Sequence, residues 1–233
     1  MYSFKNGKKI ILRKNIITGQ VIWANQALKI DYDRDCLIFY HEYSAKSLSR
    51  CDLETGQIRW FFTLPNNDYK SGFLMFFEDY LFVPTHAGYL YVLDRHTGAL
   101  LWQLDHAFNY YCLDAQNRRL VGVGGHFIHL IDIRTGQRTI KLLDEKTMQE
   151  HNFELLQHLG CYQDGLYFFT ANMSGEIRIG VLDIATGGLL TITTLNQDND
   201  SSYTARAPDV HADQLYVRDN RGTLYVFEIN REE

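Results

Sequence analysis

The sequence predicts an all-β chain folded as a single β-propeller domain over residues 1–233. Three observations predict it: a short motif that returns five times, strand-like segments paired ahead of it, and an aromatic-rich composition. Aromatics reach 14%, with 15 Tyr and 14 Phe against only three Pro. Flat rings pack well on a half-buried pleated surface, so this enrichment favours strands. A chain of 233 residues and 27.2 kDa is long enough to bury one sizeable core as a single all-β domain. Hydrophobic residues at 45% and charged residues at 22% are ordinary for a globular chain and exclude wholesale disorder.

The motif reads NIITGQVIW (15–23), DLETGQIRW (52–60), DRHTGALLW (94–102), DIRTGQRTI (132–140) and DIATGGLLT (183–191). Thr18, Thr55, Thr97, Thr135 and Thr186 set spacings of 37, 42, 38 and 51 residues. Asp stands three residues before Thr in four copies (Asp52, Asp94, Asp132, Asp183), and Asn15 takes its place in the first. Trp stands five residues after Thr at Trp23, Trp60 and Trp102, with Ile140 and Thr191 in the later copies. The Gly supplies the positive φ that closes a tight hairpin. The Asp or Asn side chain can accept from backbone N–H groups of the same turn. The Trp ring buries a large area and sets how adjacent sheets stack, so all three are expected to be largely buried.

A strand precedes each later turn (SLSRCDL, YLYVLD, FIHLID, IRIGVLD), and the segment after it (QIRWFFTL, ALLWQLD, QRTIKLLD) reads as another. Two more lie upstream: GFLMFFED and YLFVPTHA in one unit, YYCLDAQN and RLVGVGG in the next, QHLGCYQD and LYFFTAN in the one after. Four strands in a unit of about 40 residues, repeated, is the signature of propeller blades. Carrying a strand, Asp, a TG turn and Trp, the chain resembles the PQQ-like (quinoprotein-type) propeller repeat from about Asn6 to Ile229. That resemblance implies a fold and says little of function, because the motif residues build blades rather than sites.

Complete units occupy roughly 29–64, 66–104, 107–143 and 153–195. The last segment, ARAPDVHADQLYVRDNRGTLYVFEI, holds three strands and stops where its TG turn would come. TGQVIW near the start can supply the missing outer strand, which gives five four-stranded blades closed between the termini. KKIILRKN is then surplus, and six blades with two incomplete ones is the alternative.

The namesakes of this repeat are quinone-dependent dehydrogenases that resemble larger exported rings holding a planar cofactor beside Ca²⁺. This chain is short and has no adjacent Cys–Cys pair, so no cofactor, no metal and no enzymatic activity are expected. His126 and His129 in GHFIHL point to opposite faces of a strand, which does not suit a ligand pair. Asp198 and Asp200 in NQDNDSS lack the turn Gly and later Glu of an EF-hand loop. Gly122, Gly124 and Gly125 lie between two strands, not ahead of a helix, and read as a hairpin loop. No Ser or Cys lies in a nucleophile elbow.

Lysines and arginines interrupt every apolar run of MYSFKNGKKIILRKN, and no stretch approaches the roughly 18 apolar residues of a membrane span. Cys36, Cys51, Cys112 and Cys161 show no CxxC spacing. These features predict a cytoplasmic chain with reduced thiols, Cys112 and Cys161 being buried on inner strands. Lys+Arg 23 against Asp+Glu 28 gives a net charge of −5, which argues against nucleic acid as partner and suits a basic protein.

Loops of a propeller collect on its two flat faces, and those between blades share a face with those between second and third strands. Here the inter-blade loops are LPNNDYKSG (64–72), LDHAFNY (104–110), DEKTMQEHN (144–152) and NQDNDSSYTAR (196–206). Carboxylates Asp68, Asp105, Asp144, Glu145, Glu150, Asp198 and Asp200 surround Tyr69, Phe108, Tyr110, Met148 and Tyr203. Such a face suits protein binding, with aromatic anchors and charge for steering. The leading expectation is a non-enzymatic propeller that is monomeric until it meets a protein partner. Its sharpest form is an immunity protein occluding a basic bacterial toxin such as a nuclease, in general features similar to those of contact-dependent inhibition systems. An assembly scaffold and a carbohydrate-binding, lectin-like ring are the alternatives.

Overall fold

The computed structural model describes residues 2–5, 8–15, 17–26, 29–33, 36–40, 46–68, 74–105, 111–124, 127–143, 157–163, 165–171, 177–194, 208–211, 214–218 and 223–229. They form antiparallel strands in six sheets, and the chain divides into two compact units, Met1–Asn109 and Tyr110–Glu233.

The first unit holds three sheets. β1 (Tyr2–Lys5), β2 (Lys8–Lys14) and β3 (Val21–Gln26) make a three-stranded sheet. β4 (Lys29–Asp33), β5 (Cys36–Tyr40), β6 (Ser47–Asp52) and β7 (Ile58–Thr63) make a four-stranded one. β8 (Met75–Phe77), β9 (Tyr80–Pro84), β10 (Leu90–Asp94) and β11 (Leu100–Leu104) make another, in order β11-β10-β9-β8. The second and third of these sheets share a core of Ile38, Leu48, Trp60, Leu64, Leu81, Val83, Tyr91 and Leu93. β9 and β10 are buried along most of their length, whereas β7 and β11 leave Ile58, Phe61, Leu100 and Leu101 exposed. Burial on both faces explains why YLFVP and LYVLD are continuous apolar runs and not alternating ones.

The second unit repeats the scheme. β12 (Tyr111–Asp114), β13 (Arg119–Gly124), β14 (Phe127–Asp132) and β15 (Arg138–Leu142) form one sheet. β16 (Gln157–Tyr162), β17 (Gly165–Ala171), β18 (Ile177–Asp183) and β19 (Leu189–Thr194) form the next. β20 (Asp209–His211), β21 (Gln214–Arg218) and β22 (Leu224–Glu228) form a three-stranded one. Strand β17 serves two cores by alternation. Leu166 and Phe168 join Cys112, Val121, Ile128 and Leu182 on one side. Tyr167 and Phe169 join Ile179, Leu215 and Val217 on the other. The Phe168 ring lies over Gly180, its ladder partner, where an added Cβ would come within 2.3 Å of Cζ.

Two expectations are corrected. Val21–Gln26 is not the outer strand of the last sheet, because it pairs with Lys8–Lys14, which is itself no surplus strand. A tight turn joins β2 to β3, and a short loop closes at far lower entropic cost than a pairing across the whole chain. The three tryptophans are also not equally buried: Trp60 is 7% exposed, while Trp23 and Trp102 are half-buried. All three belong to outer strands of their sheets. Trp102 packs edge-on against Phe82, with ring centroids 6.4 Å apart.

Candidate functional site

Strand direction sorts the loops of the first unit to two ends. β10 begins after the turn of residues 85–89 and finishes in the TG turn of residues 94–98, so these turns lie at opposite ends of one strand.

All five TG turns share one construction. The side-chain Oδ1 of Asn15, Asp52, Asp94, Asp132 and Asp183 accepts from the Thr N–H three residues on, at 3.0, 2.8, 2.7, 2.7 and 2.9 Å. The Gly N–H then donates to the Asp or Asn carbonyl at 2.8–2.9 Å in every copy. Arg59 and the Thr55 N–H and hydroxyl hold the Asp52 carboxyl well below the usual range. The Thr135 hydroxyl and N–H lower that of Asp132. At Asp94 burial acts upward but is outweighed by the Thr97 and His96 donors, so the net shift is also downward.

Two of these turns, those of residues 52–56 and 94–98, seat the Trp of the preceding repeat. Trp23 Nε1 donates to the Leu53 carbonyl and Trp60 Nε1 to the Arg95 carbonyl, both at 3.0 Å. The indoles cover Gly56 and Gly98, whose φ angles are +73°. A Cβ there would meet Trp23 Cγ at 2.5 Å and Trp60 Cδ2 at 2.6 Å. Where Ile140 replaces Trp, Lys141 Nζ reaches the Ala185 carbonyl of the next turn at 3.0 Å. At this end of the first unit Arg13 pairs with Glu54 at 2.8 Å and Arg59 with Asp52 at 2.7 Å, and His96 Nε2 lies 3.1 Å from Asp79 Oδ1. The motif residues are therefore occupied with structure.

The opposite end of the first unit is built differently. A short 3₁₀ turn, Pro65–Asn67, places Asp68, whose Oδ1 accepts from the Ala87 N–H at 3.2 Å. This bond ties the inter-blade loop to the β9–β10 turn, so these two loop types share an end as the sequence reading expects. Thr85 closes that turn through its hydroxyl, which donates to the Tyr89 carbonyl and accepts from the Tyr89 N–H. Tyr89, Tyr91 and Phe62 form a ring cluster with centroids 5.9 and 6.2 Å from Tyr91. Burial pushes the Tyr91 phenol upward, and the nearby carboxylates of Asp68 and Asp105 add to the effect.

Of the residues predicted for the partner face, Asp68 and Asp105 both act on the Tyr91 phenol, pushing its pKa up. Asp105 is exposed, just past the end of β11. Asp68 is not an exposed rim carboxylate: it is 6% exposed and braces the adjoining turn. Tyr69, Phe108, Tyr110, Asp144, Glu145, Met148, Glu150, Asp198, Asp200 and Tyr203 lie outside the described residues. Tyr89, half-buried at the same end, was missed; its signal was an aromatic directly after the turn glycine Gly88. His126 also lies outside the described residues, while His129 is buried in β14. Among the described residues no group of three or more His, Cys, Asp or Glu could hold a metal ion, and no helix is long and apolar enough to cross a membrane.

A family model described as outer membrane protein assembly factor BamB matches residues 44–233. The chain belongs to this family. The PQQ-like repeat read from the TG turns is thereby established, and with it the β-propeller fold. Among solved structures, BamB from Moraxella catarrhalis is similar at 17% identity and a TM-score of 0.59, over 98% of this chain and 72% of that one. The computationally designed Ika8 protein is similar at 18% identity and a TM-score of 0.62, over 98% and 70%. A europium-containing methanol dehydrogenase is similar at 16% identity and a TM-score of 0.58, over 94% of this chain and 51% of that enzyme. At these identities the likeness is one of fold. No curated protein matches the chain.

Proposed function

We propose that this chain is a non-enzymatic, protein-binding propeller that serves as an assembly scaffold. The observation that carries this reading is the match of residues 44–233 to a family described as an assembly factor. The inter-blade-loop end of the first unit's blades, where Tyr89 and Asp105 lie, is the binding face. Asp68 supports that face from within, by fixing the loop on the β9–β10 turn. The TG-turn end is less suited, because Arg13 and Arg59 are already paired with Glu54 and Asp52.

A second reading is favoured by the net charge of −5 and the carboxylates of the longest loops. In it the same face blocks a basic toxin, and the chain is a cytoplasmic immunity protein forming a one-to-one complex. Affinity capture from the native cell followed by mass spectrometry tests both. A stoichiometric multi-subunit assembly supports the scaffold, and a single basic toxin fragment supports the inhibitor. Recovery of a small ligand alone, or a partner mapped to the TG-turn end, overturns both.

A further inference from the structure

Two thiols of the second unit meet between neighbouring sheets. Cys112 lies in β12 opposite Val121, and Cys161 lies in β16 opposite Leu166. β12 and β16 are the first strands of successive sheets and lie against each other. Both sulfurs belong to one apolar cluster with Leu159, Leu166 and Leu182. Both are free thiols, Cys112 buried at 7% exposure and Cys161 half-buried. The Cys112 thiol donates to the Val121 carbonyl at 3.7 Å, and Cys161 lies close enough to push its pKa up. The first strands β4, β8 and β20 carry no cysteine, so the repeat itself does not call for one here.

The geometry points to a redox-active dithiol: Cys112 and Cys161 close to a disulfide that cross-links two neighbouring sheets when a low-molecular-weight disulfide oxidant is present. The order of events follows from access and acidity. Cys161, the more exposed, attacks one sulfur of the oxidant as thiolate, breaks its S–S bond and expels one thiolate. Burial and the neighbouring Cys161 push the Cys112 thiol well up, so it is a poor first nucleophile. It suits the second step. Cys112 gives its proton to the expelled thiolate and attacks Cys161 Sγ, and the mixed disulfide breaks to release the second thiol. The protein loses two protons and two electrons, and the oxidant is reduced to two thiols. The new bond closes a loop between positions 112 and 161, which constrains the unfolded chain and raises the unfolding midpoint.

The test incubates the native full chain with oxidised and reduced glutathione over a range of ratios, traps free thiols by alkylation and maps peptides by mass spectrometry. The expected product has lost two hydrogens, carries a peptide pair linking β12 to β16, and melts at a higher temperature than the reduced form. Cys112→Ser should instead retain glutathione on Cys161, because the resolving thiol is gone. Cys161→Ser should leave Cys112 reduced under the same conditions. A native chain that accumulates glutathione on Cys161 without the cross-link overturns the proposal. So does one whose two thiols stay alkylatable at every ratio, or one that pairs either thiol with Cys36 or Cys51.

Discussion

Asp132 holds its turn as a carboxylate, and that makes the turn acid-sensitive in a defined direction. Its pKa in the folded chain is lowered by the Thr135 hydroxyl and N–H, below the unfolded value of about 3.9. Its contribution is therefore complete above that value and is lost as pH falls through the folded pKa. Asn15 shows that an amide oxygen can serve the same donors, accepting from the Ile17 and Thr18 N–H groups at 2.9 and 3.0 Å. Asp132→Asn should thus leave stability at pH 7 within about 0.5 kcal/mol of the parent, as expected for a surface change that preserves the cap. Below about pH 4 its urea midpoint should fall less steeply with pH than the parent's. Equal slopes would mean that the carboxylate contributes nothing to the turn. His129 acts in a higher window. Burial lowers its pKa in the folded chain, with the Arg138 charge acting in the same sense. The unfolded chain therefore takes up the proton first, so the stability due to neutral His129 is present above about pH 6.5 and declines as pH falls towards the folded pKa. His129→Gln should flatten the stability profile below about pH 6.5, measured by denaturant titration.

At the scale of elements, the TG turn and the Trp strand prove to be two halves of one joint. Trp60 covers Gly98 and donates to Arg95, so the glycine answers both to its positive φ and to the indole above it. Trp60→Ala should cost about 3–5 kcal/mol through lost burial and a cavity. Gly98→Ala should cost about 1–3 kcal/mol, from αL strain and from the clash with the ring. The two should not add: with the ring gone only the backbone strain remains, leaving a coupling of about 0.5–3 kcal/mol in a double-mutant cycle. Additive losses would show that the indole does not rest on the turn. Gly180→Ala gives a parallel test on β18, where the Phe168 ring must move to admit a methyl. The turn itself was legible in sequence, because Asp, Thr and Gly act on neighbours within five residues. The Trp-on-Gly contact was not, because it joins different repeats and periodicity within one repeat carries no trace of it. For the same reason KKIILRKN read as surplus: its partner β1 (YSFK) is too short and mixed to announce itself as a strand.

For the whole molecule, composition and repeat sufficed for the class of fold, since a motif returning through the chain constrains architecture more strongly than any single residue does. The binding face was legible only as chemistry. Loop sequence shows which side chains are on offer but not which turn inward, and Asp68 is the case in point: an acidic loop residue whose carboxylate is buried on the Ala87 N–H. If the loop-bearing end grips a positively charged protein, exposed carboxylates act before contact and buried aromatics after it. Asp105→Asn should lower the association rate and weaken its dependence on salt, with little change in dissociation. Tyr89→Ala should raise the dissociation rate by an amount worth roughly 1–2 kcal/mol, and leave the salt dependence of association alone. Asp68→Ala should follow neither pattern, since it removes the acceptor of the Ala87 N–H and acts through the β9–β10 turn; it should lower the melting temperature and weaken binding only in proportion. Surface plasmon resonance at several ionic strengths separates the three classes. Were the charge and aromatic variants to change the same rate constant with the same salt dependence, the division into steering rim and anchoring core would be lost, and with it the assignment of this end as the partner face.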